Sequence, residues 1–257
     1  MSEYPEFPGV DQYGTVREPS AEREHRKRMA AIGYRIFGAR RWGDLGDGHI
    51  SARDPILTDH FWLLDWGVPF HAATVDQLVL VGPDGSVKDP DGNPTGAVNT
   101  AGYNIHAPLL AARPDVVSAA HTHTQFGTPW AANVAPFRAI SQESCAFVFD
   151  QALFDDEEVE VLSYDGGKRI GAALGPHKLV ILRNHGLLTV GPTVEDAVGW
   201  FLMAERVAEV HVKAPDAVPI SDTAAAVAAA TLQPAGVGWR VFQWLQRTQV
   251  PDTSVVG

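Results

Sequence analysis

The 257-residue sequence predicts an α/β fold in which helices flank a mixed or antiparallel sheet, and three observations carry that expectation. Helical and strand-like patterns alternate along the chain without the regular period of repeated βαβ units. Apolar residues make up 45% and charged residues 20%, the composition of a globular chain with a sizeable core. No internal repeat or linker divides the chain, so residues 20–257 read as one domain that includes a C-terminal helix. Residues 1–19, polar at the start and carrying Pro5 and Pro8, read as an irregular arm.

The elements follow in order. Ser20, with Glu22 and Glu24 in the first turn, caps a basic amphipathic helix running to about residue 40, with Met29, Ile32, Ile36 and Phe37 on one face. Gly46-Asp47-Gly48 is a turn, followed by a strand over 49–53. Strands over 61–64 and 77–81 come next, the second turning through Gly82-Pro83-Asp84-Gly85 into a hairpin with 86–88. A loop rich in Gly, Pro and Asn spans 88–100. A helix over 103–112, a strand over 116–122 and a short helix over 124–132 follow. Strands over 159–162, 178–182 and 187–190 accompany a helix near 168–173. Thr193 caps the longest helix, to about residue 213, with Glu195 and Asp196 in its first turn. A last helix over 237–246 carries Trp239 and Trp244, read as a subunit contact.

Charge and cysteine usage remove several function classes. Lys plus Arg total 20 against 31 Asp plus Glu, a net charge of -11 that repels nucleic acid and anionic membranes. Cys145, the single cysteine, lies beside Ala146, Phe147 and Val148 and reads as core; intrachain disulfides and cysteine-rich zinc modules are excluded. The start lacks an apolar signal segment, and the Ala-rich stretch 223–239 is too short and too weakly apolar to span a bilayer. A cytoplasmic protein is the expectation.

Against one cysteine stand 10 histidines. His121 and His123 close an apolar strand, where side chains at i and i+2 point to one face, so the two imidazoles converge. Two such rings can share one transition metal, and a third nitrogen is needed for a catalytic site with one open position. His185 is the best third candidate, after the strand Leu179-Val180-Ile181-Leu182 and before Gly186. The alternative is a set of hydrogen-bonded histidines at a sheet rim.

The order of these pieces resembles the class II aldolase/adducin family. The matching segments are Ala111-Ala112-Arg113-Pro114-Asp115 before His121-Thr122-His123, then Arg183-Asn184-His185-Gly186-Leu187-Leu188-Thr189-Val190-Gly191. Gly48-His49-Ile50-Ser51-Ala52-Arg53 matches an early family motif, with His49 where sugar-phosphate aldolases carry Asn. The resemblance covers roughly residues 20–215. It implies a three-layer αβα fold with a central, mostly antiparallel sheet, related to fuculose-phosphate aldolase and closer to the adducin head. It also implies a homotetramer with active sites between subunits, and His121, His123 and His185 as metal ligands.

Departures from the family pattern direct the functional reading. Sugar-phosphate aldolases place a carboxylate four residues before the histidine that stands here as His106; this chain has Gly102. The paired serines that seat a phosphate in those enzymes correspond to Thr100 and Ala101, and Trp66-Gly67 falls near another phosphate contact. The tyrosine that assists protonation has no equivalent after Tyr164. His106, one helical turn after Gly102, and Glu143 are the candidate proton carriers. His71 reads as a loop residue, and Asp155-Asp156-Glu157-Glu158 as a solvated acidic edge.

A neutral three-histidine site favours a divalent metal, zinc first, with manganese and iron as alternatives. The expectation is a metal-dependent lyase, by aldol cleavage or decarboxylation, acting on a small oxo or hydroxy substrate other than a standard sugar phosphate. The alternatives are an iron-dependent oxygenase acting on an aromatic acid and a non-catalytic, adducin-like oligomerising protein.

Overall fold

A computed structural model describes residues 13–88 and 93–257. Helix α1 spans Pro19–Ala39 and starts one residue ahead of the expected cap: Glu18 occupies the cap position without a side-chain cap bond, and Pro19 opens the helix. Proline suits that place because the first helical N–H has no partner to lose. Of the expected arm, residues 13–18 precede the helix as turn and irregular chain, and residues 1–12 lie outside the described residues.

The expected strand over 49–53 divides in two. Strand β1 (His49–Ile50) and strand β2 (Ala52–Arg53) join different sheets, with Ser51 as the switch. Both halves keep contact with one neighbour, since the N–H groups of Ser51 and Arg53 donate to the carbonyls of Ala119 and Val117 at 2.9 and 2.7 Å. Strand β2 pairs with β3 (Phe61–Leu64), and β3 pairs with β4 (Leu78–Val81), forming a small antiparallel sheet. Of the hairpin after β4, the described residues keep a Val81–Val87 bridge and the Gly82 N–H donating to the Ser86 carbonyl at 2.8 Å. Within the expected loop over 88–100, residues 89–92 lie outside the described residues.

Helix α2 (Thr100–Ala112) begins three residues earlier than expected, because the Asn99 side chain accepts from the Ala101 N–H and caps it. Strand β5 (Ser118–Thr122) and the short helix α3 (Gly127–Ala131) follow. Strand β6 (Gln151–Phe154) precedes helix α4 (Tyr164–Leu174), strands β7 (Leu179–Leu182) and β8 (Gly186–Gly191), and helices α5 (Val194–Lys213), α6 (Asp222–Leu232) and α7 (Val237–Gln249).

The main sheet runs β1-β5-β8-β7-β6, antiparallel throughout except for the parallel β6–β7 pair. The strand expected over 159–162 is irregular chain, and β6 lies eight residues earlier. Of those apolar residues only Val161 is buried, while Val159 and Leu162 face solvent. The acidic run beside it is exposed but paired rather than merely solvated: Arg169 meets Asp156 and Glu158, and Arg183 meets Asp155 and Glu157. The Ala-rich stretch contains helix α6, capped by the Ser221 side chain on the Ala224 N–H, which the sequence reading treated only as a membrane question. Among the described residues no helix is long and apolar enough to cross a membrane.

Both faces of the main sheet are covered, which yields the three-layer αβα arrangement. Along β7, Leu179 and Ile181 enter one apolar cluster with Ile32 and Phe37 of α1 and Phe201 of α5. Val180 and Leu182 enter the other, with Ile105 and Leu109 of α2 and Ile170 of α4. This is the two-residue period of a strand buried on both sides. Truncating a fully buried ring such as Phe37 to alanine removes about 3–5 kcal/mol in such a core. Trp239, expected at a subunit contact, is internal: its ring sits 5.9 Å from that of Tyr13, and its backbone N–H donates to Asp196 Oδ1 at 3.0 Å. Trp244 is exposed.

Candidate metal centre

Strand pairing sets the histidines. His121 lies opposite His49 of β1 on one side and Leu188 of β8 on the other. His123 follows two residues later, and His185 stands in the turn between β7 and β8. That turn needs a left-handed residue, supplied by Asn184 at φ 53°, a conformation asparagine tolerates. One ring nitrogen from each of His121, His123 and His185 lies within 4.8 Å of the others.

Neighbouring groups orient these rings. The His121 Nδ1–H donates to the Leu187 carbonyl at 2.7 Å, which leaves its Nε2 lone pair free. Asp47 Oδ2 lies 3.4 Å from His123 Nδ1. Asp47 is held by the turn before β1, where Thr122 Oγ1 donates to its carbonyl at 2.9 Å. Gly48 makes that approach possible: its φ is +104°, and a Cβ there would lie 2.4 Å from Thr122 Cβ. Asp47, expected as a turn residue, stands beside the cluster, and the signal for it is its place inside Gly-Asp-Gly immediately before His49.

Burial keeps His121 and His185 neutral. It holds His121 well below the usual imidazole range, reinforced by His185 and His49. Burial, and then His123, lowers His185 to about 4. Three converging imidazole nitrogens are the donor set that zinc, manganese or iron(II) accepts, so the residues present fit a divalent metal.

His49 accounts for the glycine at 102. A Cβ on Gly102 would sit 3.1 Å from His49 Cδ2 and 3.3 Å from Cγ. The imidazole thus occupies the space into which a side chain at 102 would extend. His106 does not open onto the site: it is fully buried, with Nε2 2.6 Å from His49 Nδ1 and Nδ1 2.6 Å from Ser51 Oγ. Between His106 and the cavity stands the His49 ring.

His49 also lines a cavity of about 360 Å³ with Tyr34, Leu63, Trp66 and Phe70. Tyr34, Asp44, Asp65 and His71 are its titratable wall residues besides His49, and among the described residues neither lysine nor arginine lines it. His71, expected in a loop, stands in a 3₁₀ turn on this wall. Glu143 lies elsewhere, 3.6 Å from Arg206 in a groove of about 910 Å³ to which none of the clustered histidines contributes. Cys145 is buried, as its apolar neighbours imply.

Comparison with known proteins bears on this geometry. The profile of the Class II Aldolase and Adducin N-terminal domain matches residues 27–212. A Streptomyces roseochromogenus subsp. oscitans protein named 4-hydroxy-3-prenylphenylpyruvate oxygenase/4-hydroxy-3-prenylbenzoate synthase is 34% identical, over 97% of this chain and 93% of its own. Decarboxylase NovR of Streptomyces niveus is 33% identical, over 97% and 95%. The solved structure of L-fuculose 1-phosphate aldolase from Glaciozyma antarctica PI12 superposes with a TM-score of 0.81 at 32% identity, covering 95% of this chain and 98% of that one.

Proposed function

The chain belongs to the class II aldolase and adducin family, and we propose that within it this protein is a metal-dependent carbon–carbon lyase, a decarboxylase of an aromatic oxo or hydroxy acid. The observation that carries the reading is a cluster of three imidazoles beside an aromatic-walled cavity, with His49 and Gly102 standing where a proton-carrying carboxylate would act. His121, His123 and His185 would hold the metal, zinc by preference, and Asp47 would orient His123. A divalent metal with an open position supplies carbonyl polarisation and stabilisation of a developing enolate.

The chain's own residues favour loss of CO2 over deprotonation. Glycine at 102 cannot remove a proton, whereas decarboxylation releases its electron pair without a base. Trp66, Phe70 and Tyr34 line the cavity and give it the aromatic wall that suits an aromatic body. A wall without lysine or arginine lacks the usual partners of a phosphate, and Asn99 already takes the Ala101 N–H at the start of α2. The names of the two Streptomyces relatives, a decarboxylase and a prenylbenzoate synthase, agree with this substrate class.

The test is metal analysis of protein purified without chelator, followed by CO2 measurement on a panel of 2-oxo and hydroxyaryl carboxylates and sugar phosphates. One metal per chain and CO2 release from an aromatic acid are expected. Absence of stoichiometric metal, or cleavage of a sugar phosphate in its place, would overturn the proposal. The word oxygenase in one relative's name favours a second reading, iron-dependent oxidation. Anaerobic iron(II) loading followed by oxygen-uptake measurement separates the two, and no substrate-dependent uptake is expected. A cytoplasmic homotetramer is the proposed assembly, checked by a light-scattering mass four times that of the chain.

A further inference from the structure

We propose that Ser51 and His106 lock His49 as an Nε2–H hydrogen-bond donor facing the substrate cavity, so that His49 orients a substrate oxygen and is not a fourth metal ligand. Its role toward substrate rests on the lyase reading, whereas the locked tautomer does not.

The line of contacts runs inward from β1. His49 Nδ1 meets His106 Nε2 at 2.6 Å, and His106 Nδ1 meets Ser51 Oγ at 2.6 Å. Each contact needs one proton between its two heavy atoms, and Ser51 decides on which side it sits. The Ser51 oxygen accepts the Ala119 N–H at 3.2 Å, so its own single proton has two possible acceptors. One is the Ala119 carbonyl at 3.5 Å, at the outer limit of a hydrogen bond; the other is His106 Nδ1 at 2.6 Å.

The shorter contact wins, so His106 Nδ1 is an acceptor. A neutral imidazole then carries its hydrogen on Nε2, and that hydrogen is donated to His49 Nδ1. His49 in turn carries its hydrogen on Nε2, which has no hydrogen-bond partner among the described residues. Its ring lines the 360 Å³ cavity and stands 5.1 Å from the His121 ring, centroid to centroid.

The direction of the line limits what it can do. A protonated Nε2 has no lone pair for a metal, so His49 is excluded from the ligand set while its lock holds. Ser51 cannot give up its proton without becoming an alkoxide, so the line fixes orientation and does not deliver protons. His49 is then a preorganised N–H donor, suited to an oxygen that gains negative charge as a carboxylate leaves. His106 and Ser51 are positioning residues that act through it.

The test uses the full-length protein labelled with ¹⁵N-histidine. Two-bond ¹H–¹⁵N NMR correlations, assigned with H49Q, are recorded without metal and with one equivalent of zinc. The expected pattern is an unprotonated Nδ1 and a protonated Nε2 on both His49 and His106, unchanged by zinc. A protonated His49 Nδ1, or a zinc-dependent loss of its Nε2 proton, would overturn the proposal. Zinc titration of H49A and H49Q supplies the second measurement: affinities within about threefold of the parent protein are expected, and a loss of tenfold or more in both would make His49 a ligand. If the parent protein binds no zinc the lyase reading fails, and the metal-free spectrum still decides the tautomer. In a lyase assay H49Q, which keeps an N–H donor, should retain at least tenfold more kcat than H49A; equal kcat values would remove His49 from the reaction.

Discussion

Two hollows differ in ways that size and charge alone would misjudge. The larger groove, about 910 Å³, is lined by Arg40, Glu143, Glu205, Arg206, Glu209 and Lys213. Several of these charges are committed locally. Glu143 meets Arg206, Lys213 meets Glu209, and the Glu205 carboxylate accepts from Thr124 Oγ1 and from the N–H groups of Phe126 and Gly127. The smaller cavity, about 360 Å³, has aromatic and aliphatic walls, and one of them is the His49 ring beside the histidine cluster. The proposed function places the chemistry at converging imidazole donors, not at the hollow with the greater number of charges.

The largest expected effect tests that contrast directly. His121→Ala or His123→Ala should lower lyase activity about 10³-fold or more, equivalent to about 4 kcal/mol of lost transition-state stabilisation. Plasma emission analysis should find the bound metal lost in parallel, with the circular dichroism spectrum kept. Activity that survives loss of the metal would break the comparison.

Acid should discriminate next. Burial lowers His106 to about 3 and His185 to about 4, against 6.5 in the unfolded chain. Below 6.5 the unfolded state takes protons that the folded state refuses. Stability is therefore complete above pH 6.5 and lost as pH falls toward about 4, by up to about 1.4 kcal/mol per pH unit for each buried ring. Urea unfolding of the metal-free protein at pH 7 and pH 5 measures this; equal midpoints would mean that the rings are accessible to protons when folded.

A smaller effect sharpens the link between the two departures. Gly102→Glu drives a side chain into the His49 ring and should cost about 1–3 kcal/mol. Combining it with His49→Asn should recover about 1 kcal/mol or more, the coupling expected of residues in contact. Strict additivity of the two unfolding free energies would show that the exchanges are unrelated. Asp47→Asn should weaken zinc binding about tenfold in a competition titration, since the carboxylate orients His123 without joining the cluster. Glu143→Gln should be the mildest, changing activity less than about twofold and stability by less than about 0.5 kcal/mol, because its ion pair is exposed. Loss of activity in that variant would move the chemistry to the groove.

Much of the scaffold was legible because its signals are local. Thr193 with Asp196 marks the start of α5, and the Thr193 side chain accepts the Asp196 N–H there at 3.0 Å. The strand over 179–182 follows from an unbroken apolar run buried on both faces. Strand β6 was missed because Gln151-Ala152-Leu153-Phe154 is no more strand-like than the residues around it; its parallel pairing with β7 creates it. The division of 49–53 was illegible for the same reason, since only the neighbours of β1 and β2 assign them to separate sheets.

Within the candidate site the sequence by itself determined the three clustered imidazoles. Period-two geometry puts 121 and 123 on one face, and a turn after an apolar strand presents 185. It also showed that a carboxylate is missing at 102. Only the tertiary structure decided what stands in that space, because the space is defined by β1 and α2, elements about 50 residues apart in the chain that meet at His49, Gly102 and His106. The same packing decided that His106 lies behind His49 rather than on the cavity wall, and that Glu143 faces a different hollow. Local periodicity fixes the direction of a side chain within its own element, and long-range packing fixes what that side chain meets.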